Sequence, residues 1–199
     1  MSKKNKRGRP RKFDENKVID TAMQVFWREG YAAARLDDIC QQTGLSKPSL
    51  YAAFGDKDQL YKKALAYYAM KFRYRVMNAL ESAENPQQAI INYFSEVASI
   101  LTNKSLPSGC LRVNTTAECT SLKPELSDLA RKQRENTRFA ITSIISQANT
   151  DPVTAADIAE LAVTLSDGLA AASKAGVATK QIKKTASHAA AAINFLQSE

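Results

Sequence analysis

From Asp14 onward the apolar positions of this chain recur at helical spacing. Val18, Ile19, Ala22, Val25 and Phe26 form one stripe, which predicts an amphipathic helix with Asp14 as its N-cap and Gly30 as its stop. Leu36 to Thr43 reads as a second, short helix and Gly44–Leu45 as a turn. Ser46 then caps a third helix with Pro48 in its first turn, where a missing N–H costs little. That helix ends near Phe54–Gly55. Asp56 opens a fourth, with Gln59 at the capping-box position, and nothing breaks it before about Ser82. A fifth runs from Asn85–Pro86 to about Thr102. After the polar break NKSLPSG comes a short helix from about Gly109 to Cys119, then a long one from Pro124 to about Gln147. The TDP at 150–152 opens another that ends before Gly176, and a last, Ala-rich helix covers roughly Lys180 to Leu196. No segment sustains period-2 alternation with β-branched residues, so the pattern predicts an all-α fold without a sheet.

Composition narrows the class. The 199 residues are 44% apolar and 24% charged, enough for one or two domains with a real core. No stretch approaches ~18 uncharged apolar residues, and the basic start lacks the apolar region of a secretory signal. A cytoplasmic protein with no membrane partner is the expectation. Cys40, Cys110 and Cys119 show no CxxC spacing, and His188 is the single histidine. No metal site, no cofactor and no disulfide scaffold is expected from them. One histidine, no nucleophile–base spacing and no Gly-rich phosphate loop argue against an enzyme.

Charge points to a partner. The net charge is +8, yet residues 1–75 hold 17 basic and 8 acidic side chains while the rest is nearly balanced. Most of the excess lies in MSKKNKRGRPRK, where seven of twelve residues are Lys or Arg and none is acidic. Such a run should not fold. It suits a polyanion, with nucleic acid the first candidate and an anionic membrane the second.

What stands behind the arm favours nucleic acid. In LDDICQQTGLSKPSLYAAFGDKDQLY, Leu36 to Tyr61, two short helices flank a tight turn with glycine, the pattern of a helix-turn-helix. Leu36, Ile39, Cys40, Leu45 and Leu50 are spaced to pack the two helices together. Ser46, Lys47, Ser49, Tyr51, Ala52 and Ala53 are left partly outward, on the helix that would enter a major groove.

At TGLSKPSLYAAFGDKDQLY the sequence resembles the TetR/AcrR family of bacterial transcriptional regulators, over about residues 14–65. The resemblance implies a basic arm at 1–13, a helix-turn-helix DNA-binding domain at 14–60 and an all-helical effector-binding and dimerisation domain at 61–199. It implies phosphate contacts by Tyr51 and Lys57. Ser46, Lys47 and Ser49 would meet phosphates and base edges, and Arg35 stands where a Thr or Ser commonly touches the backbone. Ala52–Ala53 departs from the family's usual aromatic and His. Two alanines make no polar base contact, though a methyl can meet a thymine methyl. RGRP resembles the core of an AT-hook, with Arg7 and Arg9 entering a minor groove; the alternative is counterion release without specificity.

The family also implies a double-stranded DNA operator, a small-molecule effector and a homodimer. For pairing, the last two helices offer the stripes Ala162, Leu165, Leu169, Ala172 and Ala189, Ala192, Ile193, Leu196. For the effector pocket, the middle helices offer Tyr67, Tyr68, Phe72, Tyr93, Phe94, Cys110, Arg112, Asn114, Glu118, Arg138 and Phe139, with Asn114 and Glu118 sharing a face with Cys110. Cys110 follows PSG at a helix start, a position that favours a reactive thiol. The whole reads as a repressor released from a palindromic operator by an effector, with the helix from Asp56 onward transmitting the change. Two alternatives stay open: an architectural DNA-binding protein without an effector, and a cysteine-based redox or electrophile sensor.

Overall fold

The structure, a computed structural model, describes residues 13–147 and 152–196. Among them every regular element is a helix: α1 (Glu15–Ala33), α2 (Leu36–Thr43), α3 (Lys47–Phe54), α4 (Lys57–Glu81), α5 (Pro86–Leu101), α6 (Leu111–Leu122), α7 (Pro124–Ser146), α8 (Pro152–Lys174) and α9 (Thr179–Leu196). Local chemistry sets the starts. Asp14 Oδ1 accepts from the amide of Asn16 at 2.9 Å, Asp56 from that of Gln59 at 2.8 Å and Asn85 from that of Gln88 at 2.8 Å. Each such cap contributes ~0.5–2 kcal/mol. Residues 1–12 of the basic arm, Arg7 and Arg9 among them, like Thr150 and Asp151, lie outside the described residues.

Two helices depart from the sequence pattern. Gly30 breaks α1 with φ 82° and ψ 177°, but one further turn, through Ala33, follows it. A Cβ there would sit 2.6 Å from Glu118 Oε2, so glycine is needed both for the left-handed φ and for the approach of α6. α6 starts at Leu111 rather than Gly109, because Cys110 is extended (φ −132°, ψ 125°) and serves as its N-cap without a side-chain hydrogen bond.

The helices bury two apolar clusters. One gathers Phe26 and Trp27 of α1, Ile39, Leu50, Tyr61, Leu65 and Phe72, with Leu111 and Cys119 of α6 and Leu126 of α7. The other joins Leu80 to Ile90, Phe94, Ile141, Val163, Ile182 and Ile193. α4 runs through both, with Val76 touching each. At ~1.5–3 kcal/mol for a fully buried large side chain, these clusters outweigh the caps in fixing how the helices sit.

The α8 and α9 stripes need correction as a pairing surface. Ala162, Leu169, Ala189 and Ile193 are buried in the second cluster, and Leu165 and Ala172 pack partly buried against it. They are this chain's own core, while Ala192 and Leu196 are exposed. The outward residues of the two helices include Thr164, Gly168 and Ala171 on α8 and Thr185, His188 and Phe195 on α9.

Candidate nucleic-acid interface and effector cavity

The helix-turn-helix is built by short-range chemistry. Gly44 ends α2 in the left-handed region at φ 71°, and Ser46 caps α3, its Oγ accepting from the Ser49 amide at 3.3 Å. Ile39, Leu50 and Phe54 are buried beneath, and Leu36, Cys40 and Leu45 pack partly buried around them. Outward stand Arg35, Ser46, Lys47, Pro48, Ser49, Tyr51 and Ala52. Lys47 Nζ lies 2.8 Å from Asp37 Oδ1, which lays the front of α3 beside the front of α2. Hydrogen bonding to Asp37 raises the Lys47 pKa.

A polar joint ties this unit to the rest of the chain. Glu118 on α6 accepts the amide N–H of Tyr31 at 2.8 Å with Oε2 and that of Ala32 at 2.7 Å with Oε1. The break at Gly30 is what frees those two amides to face α6. Tyr31 O–H donates to Asp58, and Lys123 Nζ lies 2.7 Å from the other Asp58 oxygen. The hydrogen bonds from Lys123 and Tyr31 lower the Asp58 pKa. Lys57 Nζ donates to Ala32 O at 3.3 Å and sits 4.9 Å over the Tyr31 ring. Burial lowers its pKa. Further along α1, Lys71 Nζ reaches Asp20 at 2.8 Å and Lys174 Nζ donates to Arg28 O at 3.1 Å.

Behind the joint lies a cavity of about 740 Å³ between α4, α5, α6, α7 and α8. Its apolar wall includes Phe72, Val76, Val97 and Ile100; Met70 and Tyr74 are exposed at its edge. Tyr68 O–H donates to Cys110 Sγ at 3.1 Å, and Tyr93 O–H donates to Ser166 Oγ at 2.8 Å. Burial pushes the Tyr68 hydroxyl well up and that of Tyr93 up to about 12, so both stay protonated donors. Arg112 is held by Asp167. Burial pulls its guanidinium down, but negative charge beside it, with the hydrogen-bonded Asp167 carboxylate, outweighs that and holds it above its ordinary value. Asp167 also accepts from Arg134 Nε at 3.0 Å, and Arg134 in turn reaches Glu160 at 2.6 Å. The cavity thus pairs an aromatic, apolar body with one charged and hydrogen-bonded end, which suits a small organic molecule carrying a few polar groups. Among the described residues no cluster of His, Cys, Asp and Glu could hold a metal ion, and no helix is long and apolar enough to cross a membrane.

Comparison with known proteins assigns the fold to a family. Residues 18–64 match the family described as "Bacterial regulatory proteins, tetR family", and residues 86–196 match the "Tetracyclin repressor-like, C-terminal domain". This chain belongs to the TetR family. The "HTH-type transcriptional repressor ComR" of Escherichia coli K12 is 37% identical over 128 residues, 64% of this chain and 60% of its own length. The chain therefore spans less than two thirds of ComR. The "HTH-type transcriptional repressor BdcR" of the same organism is 25% identical over the full length of both. Among solved structures, a cysteine mutant of the TetR family regulator CifR, complexed with 26-bp double-strand operator DNA, has a TM-score of 0.84 and 26% identity, covering 92% of this chain and 99% of its own.

Within this TetR-family fold, Arg35, Ser46, Lys47, Ser49 and Tyr51 share the exposed end around α3, with Tyr51 47% exposed. Lys57 stands apart, its ammonium turned onto the end of α1. Of the effector residues expected from sequence, Tyr68, Tyr93, Cys110 and Arg112, with Phe72, line the cavity. The others lie away from this cavity. Tyr67 lies outside it with Lys71 over its ring, and Phe94 is buried in the second cluster. Asn114 does not line it either. Glu118 faces the joint, and Arg138 and Phe139 stack on each other at 5.2 Å. Sequence reasoning missed Asp167, Ser166 and Gln133. Asp167 had a readable signal, a lone carboxylate in the small and apolar run from Leu165 to Ala172.

A phosphate contact by Lys57 shares an ammonium that already makes one hydrogen bond, leaving two donors. Lys57→Ala should weaken binding to all DNA sequences alike and lower the salt slope by about 0.9. Titration of two unrelated duplexes at several salt concentrations checks this; a loss confined to one sequence would contradict a phosphate role.

Proposed function

We propose that this chain is a homodimeric transcriptional repressor of the bacterial cytoplasm, released from a palindromic operator when a small molecule fills the cavity. One observation carries the reading: the helices that wall the cavity also hold the DNA-binding unit. α6 opens at the cavity, with Cys110 as its N-cap and Arg112 in its first turn, and carries Glu118 onto the α1 joint. α4 begins at the joint and lines the cavity from Ala66 to Glu81. A molecule that favours one arrangement of α4 and α6 over another therefore also favours one orientation of α3, and the coupling is its differential affinity for the two. The repressor names of ComR and BdcR and the operator complex of CifR support this reading. So does the outward face of α8 and α9, whose Gly168 and Ala171 allow close approach of a second copy.

Selection of bound DNA from a random pool tests it directly. The expected product is an inverted repeat with half-sites about 34–36 Å apart; a single, non-palindromic half-site would remove the dimeric reading. Glu118→Gln tests the joint. One amide keeps its acceptor, while the other faces an NH₂ group. The variant should lose about 1.5–3 kcal/mol of stability in urea unfolding and bind operator more weakly. Unchanged operator affinity would show that the joint does not set the orientation of α3.

A second reading keeps the DNA function and changes the input. Cys110 lines the cavity with its sulfur receiving the Tyr68 hydroxyl and Arg112 beside it, a setting in which a thiol-reactive molecule could act. Cys110→Ser abolishing release while sparing operator binding would favour it over reversible occupancy.

A further inference from the structure

The front of α3 has an uneven supply of hydrogen-bonding groups. At about 100° per residue, Ala52 lies opposite the buried edge made by Leu50 and Phe54, with Pro48 one turn earlier beside it. Both are exposed. This is the strip that faces straight away from the protein. The polar groups stand to its sides, and those of Ser46, Lys47 and Ser49 are engaged. Ser46 Oγ and Ser49 Oγ are 2.9 Å apart, Ser46 Oγ also caps the Ser49 amide, and Lys47 is paired with Asp37 at 2.8 Å. No Arg, Asn, Gln or Glu stands on the helix from Lys47 to Phe54, so it has none of the side chains that read guanine, adenine or cytosine with a planar fork.

We infer that α3 reads thymine through the C5-methyl group, with Pro48 and Ala52 as the residues that specify it. The major-groove edge of a thymine offers one apolar feature, its methyl, and an apolar side chain is the group that meets it. Short side chains at Ala52 and Ser49 let the helix backbone approach the base edges, as methyl contact requires. Lys47 and Tyr51, one turn apart on the same flank, are long enough to reach a phosphate strand alongside. This inference rests on the operator-binding reading above and adds what the operator must contain: thymines in each half-site at the positions facing α3.

The test uses the full-length protein and its own selected operator. Each thymine of a half-site is replaced in turn by deoxyuridine, which lacks only the methyl and keeps the pairing and the O4 acceptor. One or two positions per half-site should lose about fourfold in affinity, equivalent to ~0.8 kcal/mol for one buried methyl-sized group, while the remaining thymines lose nothing. Ala52→Gly should then bind thymine and deoxyuridine operators equally at one of those positions. Equal affinity at every deoxyuridine position for the unmodified protein would overturn the inference while leaving operator binding intact. So would a selected half-site without thymine. Failure to select any operator would instead bring down the DNA reading, and this inference with it.

Discussion

Removal of residues 2–12 should weaken operator binding by orders of magnitude and flatten its salt dependence. The reason lies in where the folded cations already are. Lys47 is paired with Asp37, Lys57 donates to Ala32 O, Lys71 is paired with Asp20 and Lys123 with Asp58. Around α3 this leaves the exposed Arg35 and the unneutralised ammonium of Lys57, whereas the first twelve residues carry seven Lys and Arg without an acid among them. Each phosphate they neutralise adds about 0.9 to the slope of log affinity against log salt. Full engagement would make the slope steeper by about 6, so raising salt from roughly 50 to 200 mM should weaken the full chain more than 10³-fold beyond the truncated one. Titration of both proteins on one operator across that range checks it, and equal slopes would mean that the arm stays off the DNA. Exchanging A·T for G·C base pairs flanking the operator separates charge from groove reading. If Arg7 and Arg9 enter a minor groove, only the full chain should respond to the exchange.

The helix-turn-helix was legible because its determinants are local. Gly44, Ser46, Asp56 and the apolar spacing from Leu36 to Leu50 act within a few residues of one another, and the structure puts α2 and α3 where they indicate. The cavity was half legible. Tyr67 and Tyr68, or Tyr93 and Phe94, are neighbours on a helix about 100° apart, so the rotation of the helix decides which of each pair turns to the cavity, and sequence alone does not choose. Glu118 lies away from the cavity for a similar reason. The spacing i, i+4 and i+8 from Cys110 marks one face only within a helix, and Cys110 is extended and lies outside α6. Seven residues separate Leu111 from Glu118, about 10 Å along the axis, which carries Glu118 past the cavity and onto α1. What made that destination invisible was Gly30, eighty-eight positions upstream, whose break exposes the two amides Glu118 takes. The α8 and α9 stripes failed differently: a stripe of small apolar residues suits an internal core and a subunit interface equally, and only tertiary placement assigns it.

Trp27→Ala should cost about 3–5 kcal/mol of folding stability, the largest loss expected from a single side chain here, read as a fall in the urea midpoint by far-UV circular dichroism. Trp27 is fully buried, with its ring edge-to-face on Tyr68 at 5.0 Å and on Phe72 at 5.4 Å. Those two side chains line the cavity, so the Trp27 ring connects α1 to the cavity wall. The conservative change separates packing from coupling. Trp27→Phe keeps an aromatic ring against Tyr68 and Phe72 and removes an indole N–H that is buried with no hydrogen-bond partner. Leaving such a donor unsatisfied costs ~1–3 kcal/mol, and its removal offsets part of the volume lost. The Phe variant should therefore fold at close to the original stability and bind operator. Because Trp27 is the chain's single tryptophan, tryptophan fluorescence of the unaltered protein reports the surroundings of this one ring, and its emission should shift on operator binding if α1 moves against α4. An emission unchanged by operator, together with an operator affinity unchanged in Trp27→Phe, would leave Glu118 and the Asp58–Lys123 pair as the working link between cavity and α3.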